Sequence, residues 1–369
     1  MTSRPLDAVV LAAGEGTRMR SSRPKPLHPL CGRPMILHVL DALAEVAVER
    51  VVVVVGHAAE RVSKQVQSQA PVSLGLEFVE QNVQRGTGDA VSVALTGFAE
   101  AATDDDGDIV VLPGDTPLLR PPTIAALVRL HRQTDAAASV LSAVIDDPTG
   151  YGRIVRGKDE RVVRIVEHAD ATDAEREINE VNTSIYCFRR SVLAPALRRL
   201  SPENAQGEYY LSDVIAVLSD AGYQVVTMVA PEAIEAAGVN DRAQLAFAEA
   251  ELRDRINERW MRRGVTMVDP EHTYIDLAVE LAPDVCLFPG TVLRGHTVIG
   301  SGAEIGPNTH LIDTQVGEGA VVEQTVARHA TIGPDARVGP FASLHPGAHV
   351  PTGMVTGPFY SADDERAGA

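Results

Sequence analysis

A glycine-rich segment is the first candidate for chemistry in this chain of 369 residues. The apolar run Val9–Ala13 leads into Gly14 and Gly16 in "VVLAAGEGTRMRSSRPKPLHPL", as a strand leads into a tight turn. The segment matches neither common phosphate-loop motif, because Met19 stands where a dinucleotide fingerprint needs its third glycine and no Gly-Lys pair completes a P-loop. The glycines still allow the backbone to approach a ligand closely and to point N–H groups at phosphate.

Charged and polar residues follow this segment and two other apolar runs. Arg18 and Lys25 add fixed positive charge for oxygens that gain negative charge during a reaction. Asp115 is a hard oxygen ligand of the kind that Mg²⁺ takes together with substrate phosphates. Gln81 and the segment Gly86–Gly88 follow a third run. These residues, without any feature for hydride transfer, predict nucleotidyl transfer from a nucleoside triphosphate.

Each of these residues also has a simpler interpretation. The Gly-x-Gly segment alone is often a plain turn, Arg18 alone a solvated charge, Gln81 alone a surface amide and Asp115 alone a helix N-cap. Their joint occurrence at several strand ends favours a site, because ligands of open parallel sheets bind outside the carboxyl ends of the strands.

The first half of the chain has the pattern of an α/β domain. Continuous β-branched runs such as Val51–Val55 alternate with segments of helical spacing such as Met35–Val48. Such runs suit strands that are buried on both faces, so the pattern predicts a Rossmann-like, mainly parallel sheet between helices.

A linker helix is predicted after Asn240. The segment "NDRAQLAFAEAELRDRINERWMRRG" places five apolar residues on one face: Leu245, Ala248, Leu252, Ile256 and Trp260. Glu249–Arg253, Glu251–Arg255 and Glu258–Arg262 are spaced i,i+4, and Gly264 is a natural terminator.

After Gly264 the apolar period becomes six. Ile299, Ile305 and Leu311 are spaced by six residues, and so are the members of a second series, Ile332, Val338, Leu344 and Val350. Glycine often follows the apolar residue, which is typical of hexapeptide repeats in a short left-handed parallel β-helix of about five coils. The period falters between Leu311 and Ile332, where we expect a loop or bulge. The alternative, an antiparallel sandwich, explains neither the period nor the glycines.

Composition excludes several classes of function. The net charge of −17 argues against a nucleic-acid partner and against an anionic membrane surface. Cys31, Cys187 and Cys286 have no metal-ligand spacing and are expected to be free thiols. No apolar run approaches a membrane span and the N-terminus has no signal-peptide pattern, so we expect a cytoplasmic protein.

Several motifs in order resemble those of a known family. "LAAGEGTRM" with "PKPLHPL" resembles the signature of sugar nucleotidyltransferases, and "GDTPLL", "DDPTGYGRIV", "IVEHADAT", "EVNTSIY", "NAQGEYYLSDVI" and "GVNDRAQL" follow. Together they resemble the uridyltransferase half of the bacterial bifunctional UDP-N-acetylglucosamine pyrophosphorylases/glucosamine-1-phosphate acetyltransferases. The resemblance implies a uridyltransferase domain at 1–238, a linker helix at 239–264, a truncated β-helix at 265–355 and a flexible tail at 356–369.

The resemblance also implies roles for individual residues. UTP and N-acetylglucosamine 1-phosphate would be the substrates, and UDP-N-acetylglucosamine and pyrophosphate the products. Arg18 and Lys25 would be catalytic, while Asp115 and Asn240 would share Mg²⁺. The substrate-binding residues would be Leu11, Ala12, Ala13, Gly14, Gln81, Gly86, Thr87 and Gly114 on the nucleotide side, and Gly152, Glu167 and Asn182 around the N-acetylglucosamine moiety. Coils of this family commonly pack as trimers, so a homo-oligomer, most simply a homotrimer, is expected.

The chain departs from the family pattern at a few positions. Asp89 stands where histidine is common, and Pro113 replaces a residue whose side chain lies near the nucleotide, so both changes are expected to affect nucleotide contacts. Ser343 and His345 stand in a segment that usually carries arginine, and the chain ends soon afterwards. We therefore expect acetyltransferase activity to be absent.

Two alternatives remain open at this stage. The first is a nucleotidyltransferase for another sugar 1-phosphate or another nucleoside triphosphate. The second is an inactive paralogue whose β-helix serves as an assembly or regulatory module. Retention of Arg18, Lys25, Asp115 and Asn240 argues against the second, because an idle site has no chemical need for all four.

Overall fold

The computed structural model describes residues 4–98 and 107–362. They form two compact units: Pro34–Leu245 with the N-terminal residues up to His28, and Pro29–Arg33 with the residues from Ala246 onward. None of the helices in the described ranges combines the length and the apolar character that a bilayer span demands.

The first unit has the strands and helices of an α/β domain. Its strands are β1 (Leu6–Ala12), β4 (Arg50–Val55), β5 (Leu76–Glu80), β6 (Asp108–Pro113), β7 (Ala138–Val144), β8 (Arg153–Arg156), β9 (Val162–Val166), β10 (Glu180–Arg189) and β11 (Val225–Val229). The short strands β2 (Pro29–Leu30) and β3 (Arg33–Pro34) pair with each other around the segment Pro29–Arg33, which belongs to the second unit. Its helices are α1 (Met35–Ala44), α2 (Ala59–Gln69), α3 (Thr87–Gly97), α4 (Pro121–Gln133), α5 (Asp173–Arg176), α6 (Arg190–Leu197) and α7 (Asp213–Asp220).

The main sheet has the strand order β11-β7-β10-β6-β1-β4-β5. Strand β1 runs parallel to β4 and β6, β4 parallel to β5, and β11 parallel to β7. Only β10 in this order runs antiparallel to its neighbours, and it carries the β8–β9 hairpin. The prediction of a Rossmann-like, mainly parallel sheet is therefore confirmed.

Continuous apolar runs form these strands because both faces of the sheet are covered. Ala8 and Val10 pack into the core on one face, while Val9 between them packs into the core on the other. Successive side chains of a strand point to opposite faces, so burial on both requires apolar residues at consecutive positions.

Helix α8 (Arg242–Met261) forms where the linker helix is predicted, and the division between the two units falls within it. Ala248, Ile256 and Trp260 are buried along its predicted apolar face. Of the predicted ionic pairs, Glu258–Arg262 forms at 2.6 Å. The carboxylate of Glu249 instead accepts a hydrogen bond from the backbone N–H of Cys31 at 2.8 Å.

The second unit is built from very short parallel strands. These are β12 (Thr266–Met267), β13 (Tyr274–Ile275), β14 (Glu280–Leu281), β15 (Cys286–Leu287), β16 (Val292–Arg294), β17 (Val298–Ile299), β18 (Glu304–Ile305), β19 (His310–Ile312), β20 (Gln315–Val316), β21 (Val321–Val322), β22 (Val326–Arg328), β23 (Thr331–Ile332), β24 (Arg337–Val338), β25 (Ser343–Leu344), β26 (His349–Val350) and β27 (Ser361–Ala362). They stack into three parallel sheets, ordered β12-β15-β18-β21-β24, β13-β16-β19-β22-β25-β27 and β14-β17-β20-β23-β26.

Each turn of the chain contributes one strand to each sheet, which confirms the predicted β-helix of hexapeptide repeats. The aliphatic residues of the two predicted series are buried in its core. The predicted tail 356–369 contributes β27 to one sheet, where Ser361 pairs with Ser343. Residues 363–369 of that predicted tail lie outside the described part of the chain.

The expectation of a loop or bulge between Leu311 and Ile332 is wrong. Leu311 and Val316 remain in neighbouring strands with regular pairing to the coils on either side. The corner between them is shorter by one residue, and Asp313 turns it with a φ of 47°. A left-handed residue turns the chain more tightly, so a coil loses a residue without losing its register.

Candidate active site

A cleft of about 440 Å³ opens at the carboxyl ends of β1, β5 and β6 in the first unit. The carboxyl ends of adjacent parallel strands meet at one edge of a sheet, which brings together residues that are distant in sequence. The cleft is lined by all the candidate residues except Ala12, Lys25 and Gly114, namely Leu11, Ala13, Gly14, Arg18, Gln81, Gly86, Thr87, Asp115, Gly152, Glu167, Asn182 and Asn240.

Ala12 and Gly114 lie behind the cleft wall. The N–H of Gly114 donates to the carbonyl of Leu11 at 2.8 Å. A Cβ at Gly114 would lie 3.1 Å from that carbonyl oxygen and 3.4 Å from the Cβ of Ala12. Gly114 thus lets the loop after β6 pack tightly against the end of β1, which fixes the backbone of the cleft floor.

The glycine segment is shaped around Lys25. Gly16 has a φ of 65°, and a Cβ there would lie only 2.6 Å from the Cβ of Lys25. Gly14 has no atom within 4 Å of the position of a Cβ, so its lack of a side chain leaves the cleft open. Gln84 holds the start of the segment through a 2.7 Å hydrogen bond to the carbonyl of Ala13.

The two cations meet the two candidate metal ligands. The ammonium of Lys25 pairs with Asp115 Oδ2 and donates to Asn240 Oδ1 at 2.9 Å. Arg18 Nη2 donates to the same Asn240 oxygen at 3.0 Å. The side chains of Lys25 and Asp115 are only 14% and 24% exposed, so these charges interact more strongly than they would in bulk water.

This donor set fits a hard divalent cation. Asp115 and Asn240 present oxygens to one positive group, the Lys25 ammonium, which shows that they converge. The described residues contain no cluster of three or more His, Cys, Asp or Glu side chains that would hold a metal alone. Mg²⁺ usually takes one or two carboxylates plus substrate phosphates and water, so a pair of protein oxygens suits an ion that is held jointly with a nucleotide.

The segment Gly86–Gly88 begins α3 at the cleft edge. Gly86 has a φ of 106°, and a Cβ there would lie 2.6 Å from the carbonyl oxygen of Tyr209. The N–H of Gly88 donates to that oxygen at 2.8 Å, and Thr87 Oγ1 accepts from the N–H of Leu211 at 3.0 Å. The glycines are therefore needed for close packing, and this packing places the start of α3 beside the cleft, where the N-terminus of a helix suits an anion.

Gln81 lies just after β5 and is 5% exposed. Its Nε2 donates to the carbonyl of Gly86 at 3.2 Å and to Asp89 Oδ2 at 2.7 Å. Asp89, one of the departures from the family pattern, thus contacts a candidate residue of the nucleotide side.

Gly152, Glu167 and Asn182 come together on the opposite wall. A Cβ at Gly152 would lie 3.2 Å from Glu167 Oε2 and 3.4 Å from the Cβ of Asn182. Glu167 Oε1 accepts a 2.7 Å hydrogen bond from the hydroxyl of Ser212. Burial raises the pKa of the Glu167 carboxyl, and the hydrogen bond from Ser212 opposes that shift.

Sequence reasoning missed a bulge in β10. The register of β10 against β7 shifts between Asn182 and Ile185, and Ser184 has a φ of 60°. Asn182 stabilises the bulge by accepting from the Ser184 N–H at 3.1 Å and donating to the Tyr186 hydroxyl at 2.7 Å. The bulge turns Thr183 and Ser184 into the cleft.

Tyr151 and Gln244 also line the cleft. Tyr151 directly precedes the candidate residue Gly152 in "GYG", so the sequence alone could have identified it as a residue near the cleft. Gln244 lies one helical turn after Asn240, and its Oε1 accepts from the Asn240 N–H at 2.7 Å.

Comparison with known proteins agrees with this geometry. A family model described as "Nucleotidyl transferase" matches residues 7–261. The chain is 49% identical to the "Bifunctional protein GlmU" of Thermobifida fusca over 332 residues, which cover 90% of this chain and 68% of that protein. It is 44% identical to the protein of the same name from Brevibacillus brevis, with 98% and 77% covered, and 45% identical to that of Streptomyces coelicolor, with 99% and 75% covered. These matches agree with the cations and oxygens that meet at the cleft. The chain is therefore a nucleotidyltransferase and belongs to the nucleotidyl transferase family.

Proposed function

We propose that the chain is a Mg²⁺-dependent uridyltransferase that makes UDP-N-acetylglucosamine and pyrophosphate from UTP and N-acetylglucosamine 1-phosphate. The observation that carries this proposal is one cleft with two different walls. Arg18, Asp115 and Asn240 lie on one side with Lys25 behind them, and Glu167 and Asn182 lie on the other. The 44–49% identity to the bifunctional relatives supports the same substrates.

The reaction needs no covalent intermediate. A phosphate oxygen of the sugar 1-phosphate attacks the α-phosphorus of UTP, and the bond from that phosphorus to the bridging oxygen of the β-phosphate breaks to release pyrophosphate. Arg18 and Lys25 place positive charge beside oxygens that gain negative charge, so catalysis consists of positioning and electrostatic stabilisation. Asp115 and Asn240 would hold the divalent cation, whose charge offsets that of the phosphates when it is bound.

The opposite wall has the groups that a sugar requires. Glu167 and the amide of Asn182 offer hydroxyl acceptors and an N–H donor, and Gly152 leaves room for a ring to approach them. Ser212 holds the Glu167 carboxyl in place through its 2.7 Å hydrogen bond. This wall is therefore proposed to select the sugar, while the wall of Arg18 holds the triphosphate.

The test is pyrophosphate release from UTP and Mg²⁺ with N-acetylglucosamine 1-phosphate, glucosamine 1-phosphate or glucose 1-phosphate as acceptor. We expect release with the acetylated sugar alone, abolished by a chelator. Lys25→Ala should lower the rate about 10²–10³-fold, the range found when one electrostatic donor is removed. Lys64→Ala, a change at an exposed lysine of α2, is the matched control and should be neutral.

Turnover with another sugar or with dTTP alone would reassign the specificity of Glu167 and Asn182. A folded protein with no turnover for any pair would contradict the proposal and favour the inactive-paralogue alternative. The absence of acetyl transfer, a homotrimeric assembly, the cytoplasmic location and the domain boundaries at 238, 264 and 355 stay predictions.

A further inference from the structure

The amide of Gln81 is held in one orientation by two acceptors. Both contacts use its Nε2, which donates to the Gly86 carbonyl at 3.2 Å and to Asp89 Oδ2 at 2.7 Å. Within residues 4–98 and 107–362 no donor reaches Gln81 Oε1, and the residue lines the cleft. The group that Gln81 offers to a ligand is therefore its amide oxygen.

Asp89 is suited to maintain this orientation. It is the third residue of α3, where the partial positive charge of the helix N-terminus favours a carboxylate. A carboxylate only accepts hydrogen bonds, and so does a backbone carbonyl. Rotating the amide by 180° would place Gln81 Oε1 against two acceptors and leave its N–H groups pointing into the cleft, so the reversed state is disfavoured.

We propose that Asp89 is a positioning residue for base selection: it keeps Gln81 Oε1 facing the cleft as an acceptor for the N3–H of a uracil ring. This inference rests on the proposed function, in which Gln81 contacts the nucleotide. Cytosine carries a lone pair at N3 and would meet the oxygen of Gln81 as a second acceptor. Thymine shares the N3–H of uracil, so the Asp89–Gln81 pair separates UTP from CTP and does not separate UTP from dTTP.

The test compares UTP with CTP in the 369-residue protein. Calorimetric binding of each nucleotide with Mg²⁺, and kcat/KM with N-acetylglucosamine 1-phosphate, are measured for the wild type and for Asp89→Ala. We expect the wild type to prefer UTP, and Asp89→Ala to reduce the UTP/CTP ratio about tenfold, or about 1.4 kcal/mol, because only the longer hydrogen bond to the Gly86 carbonyl would then oppose the reversed amide. Glu60→Ala removes an exposed acid from the first turn of α2 and is the control for the charge at a helix N-terminus.

A double-mutant cycle with Gln81→Ala separates positioning from direct contact. Once Gln81 is alanine, Asp89→Ala should leave the UTP/CTP ratio unchanged, because the carboxylate has no amide left to orient. A further change in that ratio would mean that Asp89 acts on the base directly and would overturn the inference.

The remaining outcomes are also decisive. An equal loss for both nucleotides in Asp89→Ala would assign Asp89 to structure alone and would leave the proposed function standing. A wild type that binds UTP no better than CTP would overturn the inference and the uridine specificity together. Because binding is measured apart from turnover, a failure to find the right sugar does not affect either result.

Discussion

At the scale of single residues, the acids at and near the cleft wall that contains Glu167 and Asn182 carry an electrostatic cost. Burial raises the pKa of Asp213 to about 6, and the negative charges of Glu167 and Asp170 add to that shift. Burial also raises the pKa of Glu167. A carboxyl whose pKa is higher in the folded state than in the unfolded state stabilises the fold only while it is protonated. These acids therefore weaken the fold at neutral pH, which is consistent with selection for the site and against maximal stability.

This cost predicts how the stability of the Asp213→Asn variant, relative to wild type, changes with pH. The stabilising effect of a protonated Asp213 is complete below its unfolded pKa of 3.8 and is lost as the pH rises through about 6. Asparagine cannot ionise, so the melting temperature of the variant relative to wild type should be higher at pH 7.5 than at pH 4. After allowance for solvent screening of this half-buried group, the gain is on the order of 1 kcal/mol, or about 2–4 °C.

The melting temperatures of the wild type and of Asp213→Asn are measured by calorimetry at pH 4 and pH 7.5. Glu60→Gln, in the first turn of α2, is the control for the loss of a helix-terminal charge and should not raise the melting temperature at pH 7.5. A difference for Asp213→Asn that does not change with pH would refute the argument, since only a titrating group produces the change.

Sequence reasoning reached the identity of the site residues better than their contacts. Only the resemblance brings Asp115 and Asn240 together, because two residues 125 positions apart follow no spacing rule. Asp89 was noted as a change in chemistry, but its hydrogen bond to Gln81 depends on how the segment Gly86–Gly88 packs against Tyr209. Such contacts depend on tertiary packing, which the local pattern of the sequence does not predict.

At the scale of elements, the glycines of the hexapeptide repeat have a specific steric cause. A Cβ at Gly300 would lie 2.6 Å from the backbone N of Glu318 in the next coil. A Cβ at Gly317 would lie 2.4 Å from the N of Pro334, and one at Gly333 would lie 2.6 Å from the N of Thr352. These glycines form a column in which each is covered by the backbone of the following coil, so a side chain would separate the coils.

Gly317→Ala is therefore expected to destabilise the second unit. The methyl group meets backbone atoms, which cannot rotate away as a side chain would, so we expect a loss of about 1–3 kcal/mol, as for overpacked cores. Trp260 is the only tryptophan and is buried in the core of this unit, so its fluorescence reports unfolding in urea. The neighbouring surface change Glu318→Ala is the control. Equal midpoints for the two variants would count against a steric role for the glycine column.

The elements also show where periodicity is reliable. The period of six predicted the β-helix because each coil buries one aliphatic residue per strand, and that requirement is local. The shift of period after Leu311 wrongly predicted a loop or bulge, because the sequence alone does not distinguish a corner that is one residue shorter from an interrupted coil. The bulge in β10 had no sequence signal at all, since Ser184 at a φ of 60° is an unusual choice that its contacts with Asn182 permit.

At the scale of the whole molecule, the described residues form three hydrophobic cores, two in the first unit and one in the second. The cores on the two faces of the main sheet contain residues of the first unit, and the third contains residues of the second unit, including Trp260 and the aliphatic column of the β-helix. The residues that line the cleft belong to the first unit. A unit with its own core is expected to unfold as its own cooperative transition, so one melting temperature would not describe this protein.

Nucleotide binding should therefore stabilise one transition and leave the other in place. At UTP and Mg²⁺ concentrations 100 times the dissociation constant, the first unit should gain about 2.7 kcal/mol, which raises its midpoint by about 5–10 °C. The midpoint reported by Trp260 fluorescence should not move, because that residue lies in the core of the unit without the cleft. Calorimetry and Trp260 fluorescence, each with and without UTP and Mg²⁺, measure the two midpoints. Lys25→Ala should reduce the shift of the first unit's midpoint. If the fluorescence midpoint rises together with the calorimetric peak, the two units unfold as one, and the separate cores do not act as separate folding units.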